Sequence, residues 1–209
     1  MSGPCPPARL PAAVLLSGSG RTLENLLAKS RAGEIPVAVA AVVASRGDVR
    51  GVAVAREAGL PCAVIRRRDH ADADAHNAAI NAWLAPFAPR MIVLAGYLCF
   101  YQAPAWLDGP VLNIHPALLP RHGGRGMWGH HVHESVLAAG DRESGCTVHR
   151  VSEVYDAGEI LAQQRVPVLP DDTPETLAAR VFAAECELYP RVIAEQARLL
   201  LDSGPHFLP

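Results

Sequence analysis

Nowhere does the chain carry an apolar run approaching the roughly 20 residues that a bilayer-spanning helix needs, so no membrane partner is expected. Met1 to Pro11 also lacks the charged start and apolar block of a signal peptide, which makes a cytoplasmic location the expectation. Excess basic charge is missing too. Lys and Arg number 19 against 21 Asp and Glu, a formal net charge of -2, which leaves no broad positive field for DNA or tRNA. Nucleic acid is therefore not an expected partner. The five cysteines (Cys5, Cys62, Cys99, Cys146 and Cys186) are odd in number, scattered and without C-x-x-C spacing. That pattern excludes a disulfide framework and a zinc ribbon and leaves reduced, buried thiols. With no internal repeat and no low-complexity linker, 209 residues suit a single domain.

What the chain has is a balance of 50% hydrophobic and 19% charged residues, which suits a compact α/β enzyme with a large core. Apolar β-type runs fall at Ala12 to Leu16, Val37 to Val43, Cys62 to Ile65, Met91 to Ala95 and Val111 to Ile114. Between them lie helical stretches, Thr22 to Arg31, Val49 to Ala58, Asp72 to Ala85 and a short piece near Pro104 to Leu107. Alternation of this kind predicts a mainly parallel, twisted sheet with helices on both faces. After Asn113 the rhythm changes to a Gly-rich loop, a helix near His133 to Ala139, and two runs, Gly145 to Val151 and Glu159 to Val168, that predict an antiparallel extension. Thr173-Pro174-Glu175 marks the start of a closing helix that runs to about Leu201. The domain is expected over residues 12–203, with the leader 1–11 and the tail from Ser203 through 204–209 poorly ordered.

Two places carry chemistry. Val111-Leu112-Asn113-Ile114-His115-Pro116 ends an apolar strand on an amide and an imidazole two positions apart, which in extended chain project to one face. Pro116 takes the run out of the sheet just after His115, placing the pair where the strand ends. The turn at Asp156-Ala157-Gly158 follows a β-rich run through His149, and its carboxylate is placed to orient His115. At the first strand's end, Ser17-Gly18-Ser19-Gly20-Arg21-Thr22 leads straight into a helix, the geometry in which backbone N–H groups and the helix dipole hold an anion. Leu23 stands where a dinucleotide fingerprint has its third glycine, and no Gly-Lys-Ser/Thr follows, so one phosphate fits better than NAD or ATP. An ordinary Gly-Ser turn reads equally well from the loop alone, but strand ends in open α/β sheets are where ligands gather.

With these pieces in view, the chain resembles the folate-dependent glycinamide ribonucleotide formyltransferases over nearly its whole length. The matching elements are Leu16 to Thr22, Leu94-Ala95-Gly96-Tyr97, Leu112 to Pro120, Gly145-Cys146-Thr147-Val148-His149, Asp156-Ala157-Gly158, Arg180-Val181, Glu185 and Tyr189-Pro190. The resemblance implies a Rossmann-like fold, 10-formyltetrahydrofolate as donor co-substrate, 5-phosphoribosylglycinamide as acceptor, no metal, and a monomer or homodimer. Carried over by position, Asn113, His115 and Asp156 form the catalytic trio. Gly18, Ser19, Gly20, Arg21, Thr22 and Glu185 bind the acceptor, and Leu94, Gly96, Tyr97, Leu98, Cys99, Phe100, Tyr101 and Asn113 bind the folate. On this reading the amine attacks the formyl carbon, Asn113 donates to the oxyanion, His115 relays the proton, and Asp156 raises the histidine's pKa.

Some positions depart from the family's pattern. Leu98-Cys99 stand where Met followed by Arg or Lys is usual, the chain between Gly96 and Asn113 looks shortened, and Arg66-Arg67-Arg68-Asp69-His70-Ala71 replaces a Ser-Arg-Glu-Ala element. One of those arginines is a candidate for the folate's glutamate tail; the triple reads equally as a solvated loop. His122, His130, His131 and His133 crowd one segment in a way that suits a transition metal, although the branch resembled carries a similar loop without one. The Gly123 to Gly129 loop is flexible by composition and placed to close over the phosphate, and His149 reads equally as a packed histidine or a substrate contact.

Competing readings are a formyltetrahydrofolate hydrolase, an N-formyltransferase for another phosphorylated amine or a sugar, and a methionyl-tRNA formyltransferase. The first of these usually carries an extra N-terminal domain and the last a C-terminal domain with basic surface, neither of which this sequence leads one to expect. Outside that family, a silent folate- or nucleotide-binding module and a metal hydrolase built on His130, His131 and His133 remain.

Overall fold

A computed structural model describes residues 8–203. The chain runs β1 (Leu10–Leu16), α1 (Arg21–Arg31), β2 (Val37–Ala44), α2 (Arg50–Glu57), β3 (Cys62–Val64), α3 (Ala73–Leu84), β4 (Met91–Leu94), β5 (Val111–His115), α4 (His130–Ala138), β6 (Glu143–Arg150), β7 (Ile160–Pro167) and α5 (Pro174–Asp202). The strands form one sheet in the order β3-β2-β1-β4-β5-β6-β7. The first five are parallel; β6 joins β5 antiparallel, and β7 joins β6 antiparallel. The Rossmann-like α/β architecture with an antiparallel extension is thus the observed one.

Alternating side chains along each strand split the core into two layers. Leu10, Ala12, Val14 and Leu16 of β1 pack with Leu112 and Ile114 of β5 against α1, α2, α4 and α5. Ala13 and Leu15, with Ile92, Leu94 and Val111, face α3 through Ile80 and Leu84. Asn113 and His115 share the parity of Val111, so both project to the α3 side at the end of β5.

The long α5 opens with the sequence signal at Thr173: its side chain accepts from the Thr176 N–H, and Thr176 answers the Thr173 N–H, satisfying both exposed donors. Farther along, the wholly buried Tyr189 hydroxyl lies 3.1 Å from the Leu94 carbonyl and 2.9 Å from the Leu112 carbonyl. One O–H thereby ties α5 to the end of β4 and to β5, the two strands that lead into the site.

Three expectations need correction. β1 starts at Leu10, whose N–H bonds the Pro36 carbonyl at 2.9 Å, so two residues assigned to the leader belong to the sheet. The leader's residues 1–7 and the tail's 204–209 lie outside the described residues. Pro104 to Leu107 is a single turn closed by Leu107 N–H to Pro104 O at 3.1 Å, because so short a piece cannot repay helix nucleation. The helix read near His133 begins at His130, a turn earlier.

Candidate active site

Every residue that the sequence marks as catalytic, acceptor-binding or folate-binding lines one cleft of about 670 Å³ at the carboxyl ends of β1, β4 and β5. The turn after β1 forms one wall. Gly20 there adopts φ 77°, and a Cβ on it would meet the Gly51 Cα at 2.5 Å, so the turn needs glycine twice over. Gly18 has neither constraint; its carbonyl accepts from the Gly51 N–H at 3.1 Å. No side chain caps α1, and Gly20, Arg21 and Thr22 line the cleft at its uncapped N-terminus. The Arg21 guanidinium stacks over Phe182 of α5, 3.6 Å from the ring centroid. Glu185, one turn further along α5, is half-buried, and burial pushes its carboxyl up to about 7 while Arg21 works in the opposite direction.

Segment Leu94 to Tyr101 is fastened to the same turn. Ser17 donates its backbone N–H to the Gly96 carbonyl at 3.1 Å, and its hydroxyl oxygen accepts from the Leu98 N–H at 2.9 Å and the Ser45 hydroxyl at 2.6 Å. Cys99 is half-buried, and burial raises its thiol's pKa, so it supplies no charge where the family pattern has a basic residue. Arg66 and Arg68 pair with Asp69, Arg67 donates to the His70 carbonyl, and none of the three lines the cleft.

Asn113, His115 and Asp156 meet at the centre. His115 Nδ1 lies 3.5 Å from Asp156 Oδ2, and its Nε2 is 2.8 Å from the His122 carbonyl. A carbonyl can only accept, so Nε2 carries a proton, and Nδ1 is the atom that faces the carboxylate. Asp156 sits in the left-handed region at φ 55°, and its Oδ2 accepts from the Gly124 N–H at 2.9 Å, which ties the glycine loop to the trio. Burial works to raise the Asp156 pKa, but His149 and His115, in their protonated forms, and the Gly124 N–H hold it below the ordinary carboxylate value.

The expected rise in the His115 pKa is not what the structure has. Burial is the largest influence and pulls the pKa below the usual value; the Asp156 charge and the His122 carbonyl oppose it, and His149 and His122 reinforce it. With its side chain 4% exposed, the ring loses more hydration than one carboxylate at 3.5 Å returns. The ring therefore rests neutral at pH 7.

Register explains the fourth member, which the sequence left undecided. In the β5–β6 pair Asn113 stands opposite His149 and His115 opposite Thr147, so two polar residues two positions apart on each strand share a face. His149 donates from Nδ1 to the Arg150 carbonyl at 2.9 Å. In the neutral ring its Nε2 then accepts from Asn113 Nδ2 at 3.1 Å, which orients the amide and leaves the second amide N–H for a ligand. The same Nε2 lies 3.5 Å from Asp156 Oδ1. Thr147 donates to the Ala117 carbonyl at 2.6 Å and accepts from the Leu119 N–H at 3.0 Å, bracing the turn that follows His115. The matched spacing in Asn-x-His and Thr-x-His was the signal for this pairing.

Of the histidine-rich segment, His133 is buried and lines the cleft, with its pKa pushed down to about 4, first by burial. His130 and His131 are exposed and pair with Glu134. No group of three or more His, Cys, Asp or Glu side chains able to hold a metal ion occurs among the described residues. None of the described helices is long and apolar enough to cross a membrane.

A parallel sheet that presents an amide, an imidazole and a carboxylate beside an uncapped helix N-terminus defines a group-transfer enzyme, one able to hold an oxyanion and move a proton. The comparison with known proteins makes the class specific: the chain belongs to the formyl transferase family, whose pattern matches residues 11–193. It is 36% identical over 201 residues to the phosphoribosylglycinamide formyltransferase of Haemophilus influenzae, covering 94% of this chain and 92% of that protein. It matches the crystal structure of glycinamide ribonucleotide transformylase 1 from Symbiobacterium toebii with a TM-score of 0.84 and 35% identity, over 91% of this chain and 88% of that one. A stretch of the trifunctional purine biosynthetic protein adenosine-3 of Drosophila melanogaster is 38% identical over 186 residues; it accounts for 87% of this chain and 13% of that longer protein.

Proposed function

We propose that the protein transfers a formyl group from 10-formyltetrahydrofolate to the amine of 5-phosphoribosylglycinamide, the formyl transfer of purine biosynthesis. The observation that carries this reading is the convergence of Asn113, His115 and Asp156 in one cleft that is also lined by the Gly18 to Thr22 turn and the Leu94 to Tyr101 segment.

The acceptor's phosphate sits on the Gly18 to Thr22 turn with Arg21, and its sugar faces Glu185. The folate ring lies along Leu94 to Tyr101, where backbone groups meet its edge. The amine nitrogen attacks the formyl carbon, and the carbonyl π electrons move onto oxygen, giving a tetrahedral species with an oxyanion and an ammonium. Asn113 Nδ2 donates its free N–H to the oxyanion; loss of one such donor elsewhere costs roughly 2.7–4 kcal/mol of barrier. Neutral His115 takes the ammonium proton at Nδ1, and Asp156 offsets the resulting imidazolium charge. The oxyanion then collapses, the carbon–N10 bond breaks, and His115 returns the proton to N10. Atoms and charge balance without a covalent enzyme intermediate.

The test is formyl transfer from 10-formyltetrahydrofolate measured with and without phosphoribosylglycinamide. Acceptor-dependent loss of the formyl group supports the proposal; formate released equally in the no-acceptor control assigns the site to hydrolysis instead.

A further inference from the structure

We propose that His122 is a positioning residue for this reaction: Ser135 and Asp141 hold its side chain so that its backbone carbonyl pins the Nε2–H of His115. The inference rests on the reading that His115 moves the proton, and it concerns residues that lie outside the cleft wall.

His122 is one of three described non-glycine residues with positive φ, at 53°, a region uncommon for residues that carry a Cβ. Both ring nitrogens are held. Nδ1 lies 2.8 Å from the Ser135 hydroxyl on α4, and Nε2 lies 2.8 Å from Asp141 Oδ2 in the turn before β6. A carboxylate only accepts, so Nε2–H is the donor there, and Asp141 is itself gripped by Arg121 at 2.5 Å. The side chains of His122 and Asp141 are 11% and 12% exposed, so water competes little for these bonds. Helix α4 and the turn before β6 thus hold the His122 ring from two sides, and its carbonyl reaches His115 Nε2 at 2.8 Å.

The consequence is chemical. A neutral imidazole carries one proton, and the carbonyl keeps it on Nε2, which leaves the Nδ1 lone pair as the base. Without that carbonyl in place, the ring gains by moving its proton to Nδ1 and donating it to Asp156, the form that cannot accept a proton at the working atom. The other titratable groups around His115 are His149 on β6 and His133 on α4, and neither is within bonding distance of Nε2.

The experiment compares wild type with His122→Gly, Asp141→Ala, Asp141→Asn, Ser135→Ala and the double variant His122→Gly/Asp141→Ala. Glycine tolerates the left-handed backbone, so it removes the tether without forcing the turn to move. His122→Gly and Asp141→Ala are each expected to lower kcat by about tenfold or more while both KM values stay within about threefold. Asp141→Asn keeps an acceptor oxygen and recovers most of that loss, and the double variant is no slower than His122→Gly alone, because both break one linkage. Imidazole nitrogen NMR of the ligand-free protein is expected to show neutral His115 as the Nε2–H form in wild type and a growing Nδ1–H fraction in His122→Gly. A kcat within twofold of wild type in His122→Gly, multiplying losses in the double variant, or an unchanged His115 tautomer overturns the proposal. If His122→Gly does not fold, Asp141→Ala carries the same kinetic and tautomer readouts, with Asp141→Asn as the variant that restores them. Absence of formyl transfer by the wild type sinks the underlying reading instead, and the tautomer measurement stands apart from it.

Discussion

Replacing Glu185 with Gln tests whether the acceptor end of the cleft stores instability in exchange for binding. A carboxyl pushed up to about 7 from an ordinary 4.5 binds its proton more tightly in the folded protein than in the unfolded chain. Stability from that proton is complete below the unfolded pKa and is lost as pH rises from about 4.5 toward 7, after which the buried carboxylate is a constant burden. At 1.36 kcal/mol per pH unit, the difference between 4.5 and about 7 sets a ceiling of about 3 kcal/mol. Water reaching this half-buried group and the Arg21 charge across from it reduce the effect, so roughly 1–3 kcal/mol is the expectation. Gln is neutral at every pH and keeps the shape. Thermal melts of both proteins should coincide near pH 4.5 and separate by about 2–12 °C, with Gln the more stable, at pH 8, using 2–4 °C per kcal/mol for a domain of this size. Acceptor KM should rise in the same variant, because the carboxyl group proposed to face the acceptor's sugar is gone. A melting difference that does not change between pH 5 and pH 8.5 would refute the argument, since only a titrating Glu185 produces the pH dependence.

Asp156→Asn should leave the fold intact and lower kcat by about 10²–10⁴, with smaller changes in KM, because the imidazolium formed at His115 loses its counter-charge; steady-state kinetics decide it. Gly20→Ala meets the Gly51 backbone at 2.5 Å in a left-handed conformation, and a loss of about 2–4 kcal/mol is expected by denaturant titration, together with weaker acceptor binding. Tyr189→Phe leaves the Leu94 and Leu112 carbonyls without their shared donor and should cost about 1–3 kcal/mol, read by urea unfolding.

Much of the site could be read directly. Asn113 and His115 are two apart in an extended run that stops at Pro116, so period-2 geometry places both on one face without knowledge of any neighbour. The Ser17 to Thr22 turn was legible as a strand-to-helix junction, but the loop alone read equally well as an ordinary Gly-Ser turn, and only its place at a strand end favoured an anion site. What was missed lies in cross-strand and through-space relations. His149 belongs with Asn113 only through the β5–β6 register, and His122 serves His115 with a backbone atom, which no side-chain pattern signals.

The sequence by itself determined the alternation of strands and helices, the end of β5 at His115 and the glycine turn before α1, because periodicity, proline and glycine act through covalent neighbours. Only the tertiary structure decided the sign of the His115 pKa shift, the raised pKa of Glu185 and the grip of Asp141 on His122. Those depend on how much water the folded chain excludes and on distances of a few ångströms between residues far apart in sequence.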